Sequence, residues 1–182
     1  MKIIKFANDM SSITRWSQMH CMKNESVLEH TGFVAIYSLH LAYKHSLPLN
    51  HILEKAVVHD MEEVLTGDIP TTTKYINKDI LNQIKRIEYN AAGQISEDVF
   101  GGKMLNAWSQ SKDIATQSGC IVAIADLAAV VCKIVQEVDL GNKKFLEFIP
   151  RITEALMDLV GIWKGKFNSD IFELIEVLES MQ

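Results

Sequence analysis

The sequence predicts an all-α protein, and three observations carry that reading. Only three Pro and nine Gly occur in 182 residues. Helix-start and helix-stop signals recur along the chain. Aromatic and β-branched residues do not fall into the period-two runs that mark a sheet. The length suits a single domain, and 48% hydrophobic residues are enough for a sizeable core. The pattern gives about six or seven helices.

In chain order, Ser26-Val27-Leu28-Glu29 is a capping-box pattern in which Ser26 and Glu29 satisfy each other's backbone donors. The helix it opens runs through Val34, Ile36, Leu39 and Leu41 and stops at Leu47-Pro48. Asn50 caps a second helix, with Ile52, Leu53, Ala56, Val57, Val64 and Leu65 as its apolar positions and Gly67 as its stop. Asp68-Ile69-Pro70-Thr71 reads as an irregular loop. Asn77 opens a third helix that ends at Gly101-Gly102. Lys112 to Val138 reads as one long helix, apolar nearly all round between Ile121 and Val131, which belongs at the centre of a core. Gly141 closes it. Pro150 fits the first turn of a further helix, and Ser169 caps the last.

The formal charge of −5 and the pI of about 5.7 leave no basic face for a nucleic-acid polymer. A small anionic ligand remains open where a metal or a few cations supply positive charge. Cys21, Cys120 and Cys132 are odd in number and form no CxxC pair, which points to a reducing compartment without a disulfide frame or zinc ribbon. The N-terminal MKIIKFANDMSS lacks the apolar core of a signal peptide. No stretch of ~18 uninterrupted apolar residues predicts a membrane span. A cytoplasmic location is the expectation.

Ionisable residues stand where the pattern asks for apolar ones. His59-Asp60 interrupts Ala56-Val57-Val58, and Asp126 interrupts Ile121 to Val130. A buried carboxylate needs a cation or a dense set of hydrogen bonds. A buried Asp126–Lys133 pair is one solution. A metal is the other, because His30, His59, Asp60 and Asp126 make an N₂O₂ set that suits one divalent transition metal. The spacings (59 − 30 = 29 and 126 − 60 = 66) require separate helices to converge on the ion. Glu63 lies one turn beyond His59 and Asp60, on the same face of a continuous helix, and Asp68 follows in the loop. Two carboxylates beside a metal-activated water suit acid/base work. Glu62 reads as a solvated acidic face, and His20, His40, His45 and His51 as surface residues. Arg15 can hold a phosphate and Trp16 can wall a sugar or base; a surface Arg beside a core Trp is the alternative.

The ordered His30, His59-Asp60, Asp126 set resembles the metal signature of the HD superfamily of phosphohydrolases. Arg15-Trp16, Glu29-His30, His59-Asp60-Met61-Glu62-Glu63-Val64-Leu65-Thr66-Gly67-Asp68-Ile69-Pro70-Thr71, Lys74-Tyr75 and the later Leu140-Gly141-Asn142-Lys143-Lys144-Phe145 resemble the bacterial 5′-deoxynucleotidase family. The resemblance implies an orthogonal helical bundle of the HD type, a homodimer or larger homo-oligomer, and hydrolysis of deoxynucleoside 5′-monophosphates to deoxynucleoside and phosphate. It implies His30, His59, Asp60 and Asp126 as ligands of one divalent ion, cobalt or manganese first, with zinc, nickel and magnesium as alternatives. Arg15 would orient the phosphate, with Lys74 as a second cation, and Trp16 would crowd C2′ of a ribose. His30, Asp60 and Asp68 to Thr71 would line the substrate, with Glu63 and Asp68 catalytic. Ser17 and Thr72 stand where many members have proline. Phage relatives of the family include dATP triphosphohydrolases, which break the same bond and release triphosphate. Two non-enzymatic readings, a nucleotide-binding module on a decayed HD scaffold and a purely structural bundle, fit less well with the full set of candidate ligands plus Glu63 and Asp68.

Overall fold

The computed structural model describes residues 2–181. Among the described residues it has ten α-helices, two 3₁₀ helices and no strand beyond an isolated antiparallel bridge between Thr14 and Ser26. The helices are α1 (Lys2–Ser12), α2 (Val27–Lys44), α3 (Leu49–Val58), α4 (Glu63–Thr66), α5 (Thr71–Lys74), α6 (Lys78–Phe100), α7 (Leu105–Ser111), α8 (Gln117–Asp139), α9 (Ile149–Leu159) and α10 (Asn168–Glu179). The 3₁₀ helices span Lys143–Phe148 and Ile162–Gly165.

Several of the local signals hold. Ser26 caps α2 with the full reciprocal box, and Asn77 caps α6 by accepting from Ile80 N. Gly101 ends α6 in the left-handed conformation. Five expectations are corrected. Asn50 and Ser169 cap no helix: they lie inside α3 and α10, whose N-cap positions are Pro48 and Phe167, because each helix begins one or two residues earlier than the polar residue suggests. α1 was not anticipated. The second helix does not run through to Leu65: it stops at Val58, and the chain winds tightly through His59–Glu62 before α4. The long helix begins at Gln117, capped by Thr116, while Lys112 closes α7. Gly119 sets that start, because a Cβ there would lie 2.1 Å from Asp113 O and 2.6 Å from Gln110 O.

α8 is long and apolar enough by composition to cross a membrane. In the fold it is the central helix of the main core. Ile121, Ile124, Ala128, Val131 and Ile134 pack with Leu41, Ile52, Leu156 and Ile171. A second core joins α1, α6 and α7 through Phe6, Met10, Ala92, Ile95 and Trp108, and Met61 and Val27 belong to it. The tight turn after α3 and the start of α2 are therefore pinned by this second core, while α8 belongs to the first and meets α2 and α3 in a smaller cluster of Val34, Ala56, Val122, Ala125 and Ala129. At the far end of α2, Lys44 and His45 bond Asp170 of α10 at 2.8 and 2.9 Å. His45 is thus a half-buried tether and not a surface residue.

Candidate functional site

His30 comes from the first turns of α2, held by the Ser26 cap, and is buried. His59 and Asp60 come from the turn after α3, and both are buried. Their donor atoms, each able to bind a metal, all lie within 4.8 Å of one another. His59 Nε2 is 3.2 Å from His30 Nε2 and 3.1 Å from Asp60 Oδ2. His30 Nε2 is 3.5 Å from Asp60 Oδ2 and 3.1 Å from Asp126 Oδ1 of α8. The Asp126 side chain is 45% exposed, so it faces the open side of the site and is not the fully buried charge that its apolar setting implied. The alternative Asp126–Lys133 pair does not form; Lys133 bonds Glu137.

The donor set fits a cation. The His59 Nδ1–H donates to Ala56 O at 2.8 Å. That fixes the tautomer and turns an Nε2 lone pair toward a second imidazole nitrogen and a carboxylate. Lone pairs gathered this closely in a buried place repel unless a proton or a metal sits between them. Two nitrogens and two carboxylates suit a divalent transition ion.

Arg15 and Trp16 close one side. Arg15 Nη1 bonds Asp60 Oδ2 at 3.1 Å, and its Nε lies 3.6 Å from Glu25 Oε2, without a hydrogen-bond acceptor. Burial works against the guanidinium charge; Asp60, Asp126, Glu63 and Asp68 together hold it in place. Trp16 has a left-handed backbone, with φ at 61°. Its N–H donates to Asp68 Oδ2 at 3.1 Å and its indole Nε1–H to Glu25 Oε2 at 3.1 Å. The ring leans on Phe145 and Phe148, with centroids 5.3 and 5.2 Å away.

Glu63 opens α4 and is buried, and its Oε2 has no hydrogen-bond partner. Burial, then the neighbouring Asp60 charge, push its carboxyl up to about 9, with Arg15 opposing. Asp60 moves the other way. Burial alone would raise it, but His59, Lys112 and Arg15 hold it well below the usual carboxylate range. Two carboxyl groups one turn apart thus favour opposite protonation states.

Ile69, Pro70 and Thr71 follow in a half-buried stretch and make no hydrogen bond to the four candidate ligands. Lys74 is paired away, 2.8 Å from Glu88 of α6.

Three residues were missed. Lys112 Nζ bridges Asp60 Oδ1 and Glu62 Oε1, each at 3.1 Å. Glu62 is 2% exposed and accepts from Trp108 Nε1 at 2.5 Å, so it is no solvated acid. The tight turn swings Glu62 inward, and only the folded arrangement brings α7 against it. A lysine at the edge of an apolar run is the one sequence trace of Lys112.

Comparison with known proteins places these residues in context. The 5′-deoxynucleotidase YfbR-like family profile matches residues 2–172. The 5′-deoxynucleotidase YfbR of Salmonella arizonae is 33% identical over 158 residues, which cover 79% of this chain and 76% of that protein. An HD-domain phosphohydrolase from Listeria innocua superposes with a TM-score of 0.73 at 20% identity, covering 99% of this chain and 96% of that one. A cyanophage S-2L HD phosphohydrolase, solved with dA and one catalytic Zn²⁺ ion, superposes with a TM-score of 0.66 at 18% identity, covering 97% and 96%. The fold is that of the HD phosphohydrolases, and by its sequence this chain belongs to the YfbR-like 5′-deoxynucleotidase family.

Proposed function

We propose that this protein hydrolyses deoxynucleoside 5′-monophosphates to deoxynucleoside and phosphate. The observation that carries the reading is the convergence of His30, His59 and Asp60 donors within 4.8 Å, with Asp126 and Arg15 in direct contact with that cluster. Family membership supports the substrate class.

His30, His59, Asp60 and Asp126 would hold one divalent ion, with cobalt and manganese as the first choices and zinc, nickel and magnesium behind them. The chemistry supplied there, once an ion is bound, is Lewis acidity and a water whose pKa falls from about 15.7 to about 7. Arg15 receives the substrate phosphate, exchanging its contact with Asp60 Oδ2 for phosphate oxygens, while Glu25 holds the Nε side of the guanidinium. Trp16 stands against C2′ and disfavours a 2′-hydroxyl. Asp68 fixes that wall through the Trp16 amide. Ile69, Pro70 and Thr71 complete the lining. Glu63, protonated at neutral pH, delivers its proton to the departing 5′-oxygen, worth about 10²–10⁴-fold. Asp68 is the second candidate for that transfer.

A triphosphohydrolase reading, with a dNTP such as dATP as substrate, gains some support from Lys112. It brings a second cation beside Arg15 at Asp60, where a longer phosphate chain would need charge. Lys74, ion-paired with Glu88, is less free to serve. We extend the proposal to a single domain, as the length suggests, to a cytoplasmic location, as the cysteine usage suggests, and to a homodimer or larger homo-oligomer, as the family resemblance implies. The deciding experiment is turnover by metal-reconstituted protein on a panel of dNMPs, NMPs and dNTPs, with product identification. Phosphate from dNMPs supports the first reading. Intact triphosphate from dNTPs with inert dNMPs replaces it by the second.

A further inference from the structure

The proposed chemistry leaves unused a buried polar network at the other end of α8. Glu137 is 0% exposed and Lys133 3%. Glu137 Oε1 accepts from Lys133 Nζ at 2.6 Å and from Lys23 N at 3.1 Å. Its Oε2 accepts from Met22 N and from Asn142 Nδ2, both at 2.8 Å. Asn142 Nδ2 also donates to His20 O at 2.9 Å, and Lys133 Nζ donates to Lys23 O. One carboxylate therefore draws two main-chain amides and two side chains onto itself. Every polar atom of the His20–Lys23 tip in this network is grasped from α8 or from the residues just after it.

That tip belongs to the segment that carries Arg15 and Trp16. The two ends of the segment are tied together by Val27 N to Ile13 O and Arg15 N to Glu25 O, at 3.0 and 2.9 Å. Within it, Met19 N returns to Trp16 O at 2.8 Å. The Trp16 ring rests on Phe145 and Phe148, in the 3₁₀ helix that follows Asn142 directly. The stretch from Glu137 to Phe148 thus grips both the tip and the indole. Glu137 lies 137 − 126 = 11 residues beyond Asp126, about 16 Å along the helix axis, so it acts on neither metal nor substrate directly. A buried ion pair is a weak source of stability and is often replaceable by apolar residues without loss. What it provides here is a fixed geometry.

We propose that Glu137 is a positioning residue for sugar selection: with Lys133 and Asn142 it clamps the His20–Lys23 tip and so fixes the Trp16 ring against the deoxyribose. The inference rests on the deoxynucleotidase reading, because only there is Trp16 a sugar wall. Releasing the clamp frees the ring while the metal ligands stay in place. KM for a dNMP then rises about tenfold and the preference for dNMP over NMP narrows by a similar factor, with kcat held within about twofold.

The test uses the full-length, metal-loaded protein as wild type, E137Q, N142A and the double variant K133M/E137L, which keeps the site filled with apolar side chains. Four readouts are taken: dNMP and NMP kinetics, affinity for Mn²⁺, far-UV circular dichroism, and amide hydrogen exchange across residues 13–26. The expected result is faster exchange at Trp16, higher KM, narrowed sugar preference, and unchanged metal affinity and helix content. E137Q, which keeps one acceptor oxygen and sets its NH₂ against donors, falls between wild type and the double variant. If the double variant does not fold, E137Q and N142A carry the comparison. Folded variants with wild-type exchange and wild-type sugar preference overturn the inference. So does a parallel fall of kcat, metal affinity and helix content, which marks general damage. An active wild type with unaltered variants overturns this inference alone; a wild type inert on every deoxynucleotide overturns the activity and the inference together.

Discussion

His30 Nε2 and His59 Nε2 face each other across 3.2 Å, although 29 residues separate them in the chain. Nothing in their own helices needs this contact. It follows from the packing of α2 against α3 and α8 through Val34, Ala56 and Ala125, and from the seating of Val27 and Met61 in the second core. The approach of two basic nitrogens is the costly feature around which the site is organised, and a bound cation relieves it.

Metal binding is therefore expected to stabilise the fold. At a free ion concentration a hundredfold above Kd the gain is about 2.7 kcal/mol, which for a chain of this size raises Tm by roughly 5–10 °C. Thermal unfolding with Co²⁺ or Mn²⁺, and again after chelation, measures it. His59→Ala should lose the metal-dependent rise; a variant that kept it would remove His59 from the ligand set.

Glu63→Gln preserves shape in a buried place where the carboxyl is already neutral. We expect folding stability close to wild type and kcat lower by about 10²–10⁴-fold, with KM little changed. Steady-state kinetics on a dNMP decide it, and turnover at nearly the wild-type rate would assign the proton to another group.

Trp16→Ala opens space at C2′. The NMP/dNMP ratio of kcat/KM should rise by roughly tenfold or more, the scale of a lost steric contact. An unchanged ratio would take Trp16 out of sugar selection.

Trp108→Phe deletes the donor that serves buried Glu62 while keeping most of the ring packing. A loss of about 1–3 kcal/mol is expected from urea unfolding. No change in midpoint would mean that Lys112 alone satisfies Glu62.

Glu137 gives a pH signature. Burial works against its charge, but Lys133, the Met22 and Lys23 amides and Asn142 hold the carboxyl down to about 2. A depressed carboxylate contributes stability that is complete above its unfolded pKa of about 4.5 and fades as pH falls toward 2. The stability gap between wild type and Glu137→Gln should therefore shrink between about pH 6 and about pH 3. A gap that stayed constant over that range would contradict the assignment.

The sequence made some of this legible and not the rest, for physical reasons. Ser26, Asn77, Gly101 and Pro150 are local devices whose effect is settled within one turn of backbone, and they fell where expected. The candidate ligands were readable because charges interrupted apolar runs, although Asp126 proved half exposed. Lys112, Glu62 and Trp108 were not readable, since their meeting depends on α7 packing against the turn after α3. The break before α8 was hidden as well. It is imposed by the backbone oxygens of Gln110 and Asp113 against Gly119, a contact that no periodicity encodes.

The winding of the segment after α3 has its own consequence. Met61 N, Glu63 N and Val64 N each bond the carbonyl three residues back, so this stretch turns once in about three residues instead of 3.6. Side chains three apart draw toward the same side in such a winding, so Asp60 and Glu63 share a face. Relaxation to an ordinary α-helix would rotate Glu63 by about 60° relative to Asp60. Met61, with none of its surface exposed and lodged among Phe6, Val27 and Trp108, holds the overwound form. If Glu63 and Asp60 serve as proposed, the packing of an apolar side chain between them in sequence sets their relative orientation, and a change of shape at Met61 would disturb both without altering a polar atom.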